Sequence, residues 1–115
     1  MRVIVCGGRN YDDHHVVYVA LKELEPGPGR EPPTIVHGAA SGADTLAGAF
    51  AAMLGFFVEP HPADWKRHAK AAGPIRNQQM LDAGADLVIA FPGGRGTEDM
   101  VRRATAAGVK VQRAP

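Results

Sequence analysis

The sequence predicts an α/β fold: a Rossmann-like, three-layer domain around a parallel five-stranded sheet of order 3-2-1-4-5. Three observations carry this expectation. Short apolar runs alternate with segments of helical periodicity, giving βαβαβαβαβ in 115 residues. The connections are short, which makes the sheet parallel with helices on both faces, and right-handed crossovers leave few topologies. Two runs end in Gly-Gly turns, Gly7-Gly8 and Gly93-Gly94. Those strands flank the switch point of such a sheet, where ligands sit.

The elements follow in chain order. Val3 to Cys6 is a buried strand entering a tight turn. Tyr11 to Glu25 has helical spacing, with Asp12 and Asp13 near its start. The Pro- and Gly-rich stretch from Pro26 to Pro33 is a surface loop, since each flank alone is too small to fold. Thr34 to His37 is the second strand. Ser41 and Asp44 have the form of a capping box before a helix reaching about Leu54. That helix is apolar around its girth and needs more than one cover, for which a second subunit is one candidate. Phe56 to Glu59 is the third strand. A connection rich in cations and small residues runs from His61 to Gly73, and Pro74 fits the first turn of the next helix. Asp86 to Phe91 is the clearest buried strand. A helix from about Glu98 to Ala107 and a strand, Val109 to Val111, complete the chain.

Composition bounds the function. Lys and Arg number 13 against 12 Asp and Glu, a net charge of +1. That balance counts against bulk nucleic acid or an anionic membrane as main partner. Hydrophobic residues make up 45%, enough for a core without disulfides, and the single Cys6 forms none internally. Cys6 reads as a small buried hydrophobe or, less readily, as a reactive thiol. No apolar run approaches the ~20 residues of a membrane span. The first residues do not form a signal peptide, so a cytoplasmic, single-domain protein is expected. The five histidines lack ligand spacing, so neither metal nor cofactor is expected.

The candidate site follows from the strand-end turns. Pro92-Gly93-Gly94-Arg95-Gly96-Thr97 lets an anion approach backbone closely, with helix N–H groups just behind. The turn has neither the Gly-Lys-Ser/Thr ending of a Walker loop nor the Gly-x-Gly-x-x-Gly form of a dinucleotide site. Gly7-Gly8-Arg9 offers a guanidinium fork beside it, and Asn10 a helix cap. Around Gly38, Ser41 and Asp44 either cap their helix or reach the ligand. Trp65 either stacks on a base or sugar or anchors its loop, and Lys70 lies nearby in sequence. Arg76 falls at a helix start, where a cation opposes the dipole; that cost argues for a role, with Asn77 beside it.

At these residues the chain resembles the SLOG superfamily, in its small YspA/YpsA-related branch. The motifs are GGRNYDD, VHGAASGADTLA, PADW, AAGPIRNQQML and ADLVIAFPGGRGTEDM. They cover nearly the whole chain outside the Pro26–Pro33 loop. The superfamily is Rossmann-like and includes the LOG phosphoribohydrolases and the DNA-processing protein DprA. The resemblance implies binding of nucleotides or nucleotide-derived ligands, often in homodimers. LOG enzymes carry Pro-Gly-Gly-x-Gly-Thr-x-x-Glu, with the Glu in catalysis. Pro92, Gly93, Gly94, Gly96 and Thr97 match it, and Arg76 resembles the LOG arginine. The Glu position holds Met100. Glu98 and Asp99 point ~200° and ~100° away around a helix, so neither simply replaces that carboxylate.

Loss of an essential general acid or base costs ~10²–10⁴ in rate. The first expectation is therefore a domain that binds or senses a nucleotide-derived small molecule. The second is a nucleoside-monophosphate phosphoribohydrolase using Asp44, Arg76, Glu98 or Asp99. A DprA-like nucleic-acid binder ranks third, against the low net charge.

Overall fold

The computed structural model describes all residues from Met1 to Pro115. Its elements are β1 (Arg2–Cys6), α1 (His14–Lys22), β2 (Thr34–His37), α2 (Ala43–Met53), β3 (Phe57–Pro60), α3 (Trp65–His68), α4 (Ala72–Asp82), β4 (Leu87–Ala90), α5 (Arg95–Ala106) and β5 (Lys110–Arg113). The sheet has the order β3-β2-β1-β4-β5, and every pairing is parallel. Fold class and strand order are those expected from the alternating apolar runs.

Alternation along β1 divides the core into two layers, because successive side chains point to opposite faces. Val3 and Val5 join Val17, Leu21, Ala43, Ala47 and Phe91 on the α1/α2 side. Ile4 and Cys6 join Val36, Met80, Val88 and Met100 on the α4/α5 side. Helix α2 turns Ala43, Asp44, Ala47 and Ala51 inward, and Leu46 and Phe50 pack against the same cluster. Its second cover is thus helix α1, within the same chain, where Tyr18 meets Phe50 edge-on at 5.6 Å. Met53, at the end of α2, stays exposed.

Several boundaries shift for local reasons. Helix α1 starts at His14 because the Asp13 side chain accepts from Val16 N–H, so Asp13 and not Asn10 is the cap. The connection after β3 is not irregular throughout. Asp64 caps the four-residue helix α3 by accepting from Arg67 N–H at 3.1 Å. A 3₁₀ turn, Ala69–Ala71, leads on to α4, which starts at Ala72 with Pro74 in its first turn.

Beyond β2 the α4/α5 face of the sheet is closed by charge. Arg2 reaches from the start of β1 to Glu59 on β3 with two hydrogen bonds of 2.8 and 2.6 Å. His61 Nε2 lies 2.7 Å from the same carboxylate. The Arg2 bond, then the His61 bond, hold the Glu59 carboxyl down at about 2.

Candidate functional site

The carboxyl ends of β1 and β4 touch. Gly8 N–H donates to Pro92 O at 2.8 Å, and a side chain on Gly8 would lie 3.0 Å from that oxygen. A side chain on Gly7 would come within 2.6 Å of Ala43 Cβ, and one on Gly93 would meet Thr97 Oγ1 and Gly8 N. Helix α2 is drawn into the same junction. Ala43 N–H donates to Gly8 O, and Gly42 turns there with φ +75°. A Cβ on Gly42 would strike the backbone oxygens of Gly8 and Arg9. Gly7, Gly8, Pro92 and Gly93 therefore weld three loops together, and the Gly8 amide is spent on that weld.

A cleft of ≈770 Å³ opens above the junction. One wall is the start of α5. The amides of Arg95, Gly96 and Thr97 precede the first helical bond, Glu98 N–H to Gly94 O, and have no partner in the chain. Gly94 has open space where a side chain would be. The opposite wall comes from α3, the 3₁₀ turn and α4: Trp65, Lys70, Gly73 and Arg76. Arg9 and Gly38 stand at its ends, and Cys6 lies on its floor. Burial pushes the Cys6 thiol up to about 12, so it is an inert wall group at neutral pH.

Ser41 and Asp44 do not form the expected capping box. Gly42 is the N-cap of α2, with no side-chain capping bond. Ser41 Oγ donates instead to Arg9 O at 3.1 Å. The Asp44 carboxylate accepts from Gly38 N–H at 3.1 Å and Ala40 N–H at 3.2 Å, across a turn in which Ala39 has φ +58°. The side chain thus braces the β2 tip, the loop before its own helix. Burial raises the Asp44 carboxyl above its usual value, against those amide bonds. His37, beside it, is held below its ordinary value by burial and accepts from Ala39 N–H through Nδ1.

Arg76 is the fifth residue of α4, outside the first turn, so the dipole cost expected for it does not arise. Its guanidinium crosses Gly38. Nη1 donates to Gly38 O, Nε donates to Asn77 Oδ1 at 3.1 Å, and a Cβ on Gly38 would collide with it. Burial lowers its pKa somewhat. Arg9 lies over the Trp65 ring, 5.3 Å from its centroid, while Trp65 stays 49% exposed at the rim.

Three expected site residues have structural partners. Asn77 is buried and donates from Nδ2 to Gly96 O at 3.2 Å and to Asp99 Oδ2 at 3.0 Å, tying α4 to the start of α5. Asp99 also accepts from Arg102 at 2.7 Å and Arg103 at 2.9 Å. Glu98 is held by Arg113 through bonds of 2.9 and 2.8 Å. Met100 is fully buried in the core and presents nothing to the cleft.

The charge balance of the cleft follows. Glu98 and Asp99 are paired with arginines; Asp44 is braced by amide hydrogen bonds, and its charge acts on Arg76 without forming an ion pair. Arg9, Lys70, Arg76 and Arg95 have no carboxylate partner. Four unpaired cations and three free amides therefore face one cleft, an arrangement that attracts anions.

Residues 1–68 match the family model of the YspA, cpYpsA-related SLOG family. The chain belongs to this SLOG family. Gene 61 protein of Mycobacterium phage D29 is similar to this SLOG chain, 43% identical over 118 residues, covering 96% of this chain and 93% of that protein. The X-ray structure of DNA processing protein A (DprA) from Streptococcus pneumoniae shares the fold with a TM-score of 0.56. It is 20% identical over 96% of this chain, which spans 58% of that one. No helix of this SLOG chain is long and apolar enough to cross a membrane.

Proposed function

We propose that this SLOG domain binds or senses a nucleotide or nucleotide-derived phosphorylated small molecule in the cleft between β1, α4 and α5. The observation that carries the reading is the set of unpaired cations, Arg9, Lys70, Arg76 and Arg95, facing the free amides of α5. A phosphate at the amides meets the positive helix end, and Trp65 at the rim offers a stacking face for a base or sugar. Met100 in place of an acid is consistent with binding without turnover. A cytoplasmic homodimer is part of the proposal, with Met53 and Phe57, 73% and 57% exposed, as apolar surface for a second copy. The +1 net charge gives no support to a nucleic-acid partner.

Calorimetry with adenosine monophosphate tests the site. Arg76→Ala removes a charged donor, a loss of about 10- to 100-fold in affinity. Gly94→Val puts bulk where the phosphate sits; it should weaken binding comparably and leave the melting temperature unchanged, because no atom lies within contact of that Cβ. Unchanged affinity in both folded variants would sink the proposal.

One observation favours N-glycosidic hydrolysis as a second reading. Asp44 lines the cleft, is buried, has a raised pKa, and its Oδ1 makes no hydrogen bond. A carboxyl of that kind suits general acid–base work. Chromatography of nucleoside monophosphates, ADP-ribose and NAD after incubation tests it. Free base that disappears in Asp44→Asn would establish the enzyme; binding with no free base leaves the sensor.

A further inference from the structure

The cleft does not stop at Trp65. Behind it lies a second hollow of ≈300 Å³, lined by Ala39, Ser41, Pro62 and Ala63. The two hollows share one wall: Arg9, Gly38, Ala40, Trp65 and Arg76. That wall carries two guanidiniums, and neither forms an ion pair. No carboxylate lines the smaller hollow. Arg76 spends Nε and Nη1 on Asn77, Gly38 and His61, and its Nη2 has no partner in the chain.

We infer that the ligand has two arms joined by an internal phosphate or pyrophosphate, in the class of nucleoside-diphosphate esters and dinucleotides. This rests on the nucleotide reading above and specifies its substrate class. A terminal phosphate with a single nucleoside needs only the larger hollow and the α5 amides. It leaves unexplained why cations stand on the boundary between two hollows. An internal anionic linkage crossing that boundary meets the guanidiniums of Arg9 and Arg76, which line both hollows. The smaller hollow is at the low end of ligand-site volumes and suits one sugar or base. Pro62, Ala63 and the Trp65 ring give it an apolar wall against which a flat group packs. Ser41 supplies a hydroxyl, which can exchange its bond to Arg9 O for a sugar hydroxyl. Among its lining residues the only cations are the two on the shared wall, so the hollow ends the ligand instead of continuing a charged track.

The test is calorimetry on the full chain with three probes: adenosine monophosphate, ADP-ribose and a short oligoadenylate series. ADP-ribose should bind at least about tenfold tighter than the monophosphate. Ala63→Trp adds bulk to the smaller hollow alone. It should reduce ADP-ribose affinity to that of the monophosphate and leave the monophosphate unchanged. Should that variant not fold, the wild-type comparison of the two probes still decides. Equal affinity for the two, or ADP-ribose binding that a folded Ala63→Trp chain leaves intact, overturns the two-armed ligand alone. Binding by none of the probes sinks the nucleotide reading as well. Affinity that keeps rising with oligoadenylate length beyond two nucleotides overturns the inference in favour of a nucleic-acid strand.

Discussion

Gly42→Ala should be the most damaging single methyl in the chain. Two costs add. The residue holds φ +75°, which an L side chain adopts only with strain. The new Cβ would also be driven into the backbone of Gly8 and Arg9, which cannot rotate away as a side chain tip would. Overpacking of this kind costs about 1–3 kcal/mol and backbone strain about 1–3 more. Thermal denaturation should show a fall of about 10 °C or greater. The same substitution at Gly94 or Gly96, where a Cβ meets nothing, provides the control. A Gly42→Ala chain melting with the wild type would mean that the three loops are not welded as described.

Asp99→Ala should have the second largest effect, and one that depends on pH. Asp99 is 7% exposed and accepts from Asn77, Arg102 and Arg103. Its removal leaves the buried Asn77 amide short of an acceptor, a loss of about 1–3 kcal/mol. Burial alone would raise the Asp99 carboxyl. The bonds from Asn77 and Arg103, with the charges of Arg103 and Arg102, outweigh it and hold the group below its ordinary value. A folded-state value below the unfolded one means the native chain is favoured when the group is ionised. The contribution is therefore complete above the unfolded value, about 4, and is lost as pH falls through the folded one. Urea denaturation of both chains should give a stability gap that is flat near neutrality and narrows below about pH 4. Glu59 titrates with the same sign, but it is common to both chains and cancels. A gap independent of pH would show that Asp99 acts through packing and not through charge.

Much of this was legible in the sequence because it depends on neighbours along the chain. Val3–Cys6 and Leu87–Ala90 are apolar runs closed by glycine, and alternation with helical segments fixes a parallel sheet whose switch point lies between them. The Gly-Gly turns mark the strand tips for the same reason. What escaped depends on residues distant in sequence. Ser41 and Asp44 have the spacing of a capping box, but the β2 tip offers Asp44 better donors. Gly42 looks like one glycine among 14, and only its contact with Gly8 and Arg9 sets it apart. Asn77 and Asp99, 22 residues apart, meet only when α4 and α5 lie side by side. The four-residue helix α3 is too short to show a period, and Asp64 three residues before Arg67 was its one signal.

The welded junction limits where the cleft of such a molecule can change shape. Its base is glycine backbone packed on backbone and on the first atoms of Ala43, Phe91 and Thr97, with no slack to absorb an added side chain. Diversification is therefore confined to the rim: Trp65, Lys70 and the residues behind them on one bank, Arg95 on the other. If the proposed ligand reading holds, two chains with the same junction would select unlike molecules by differing at that rim alone.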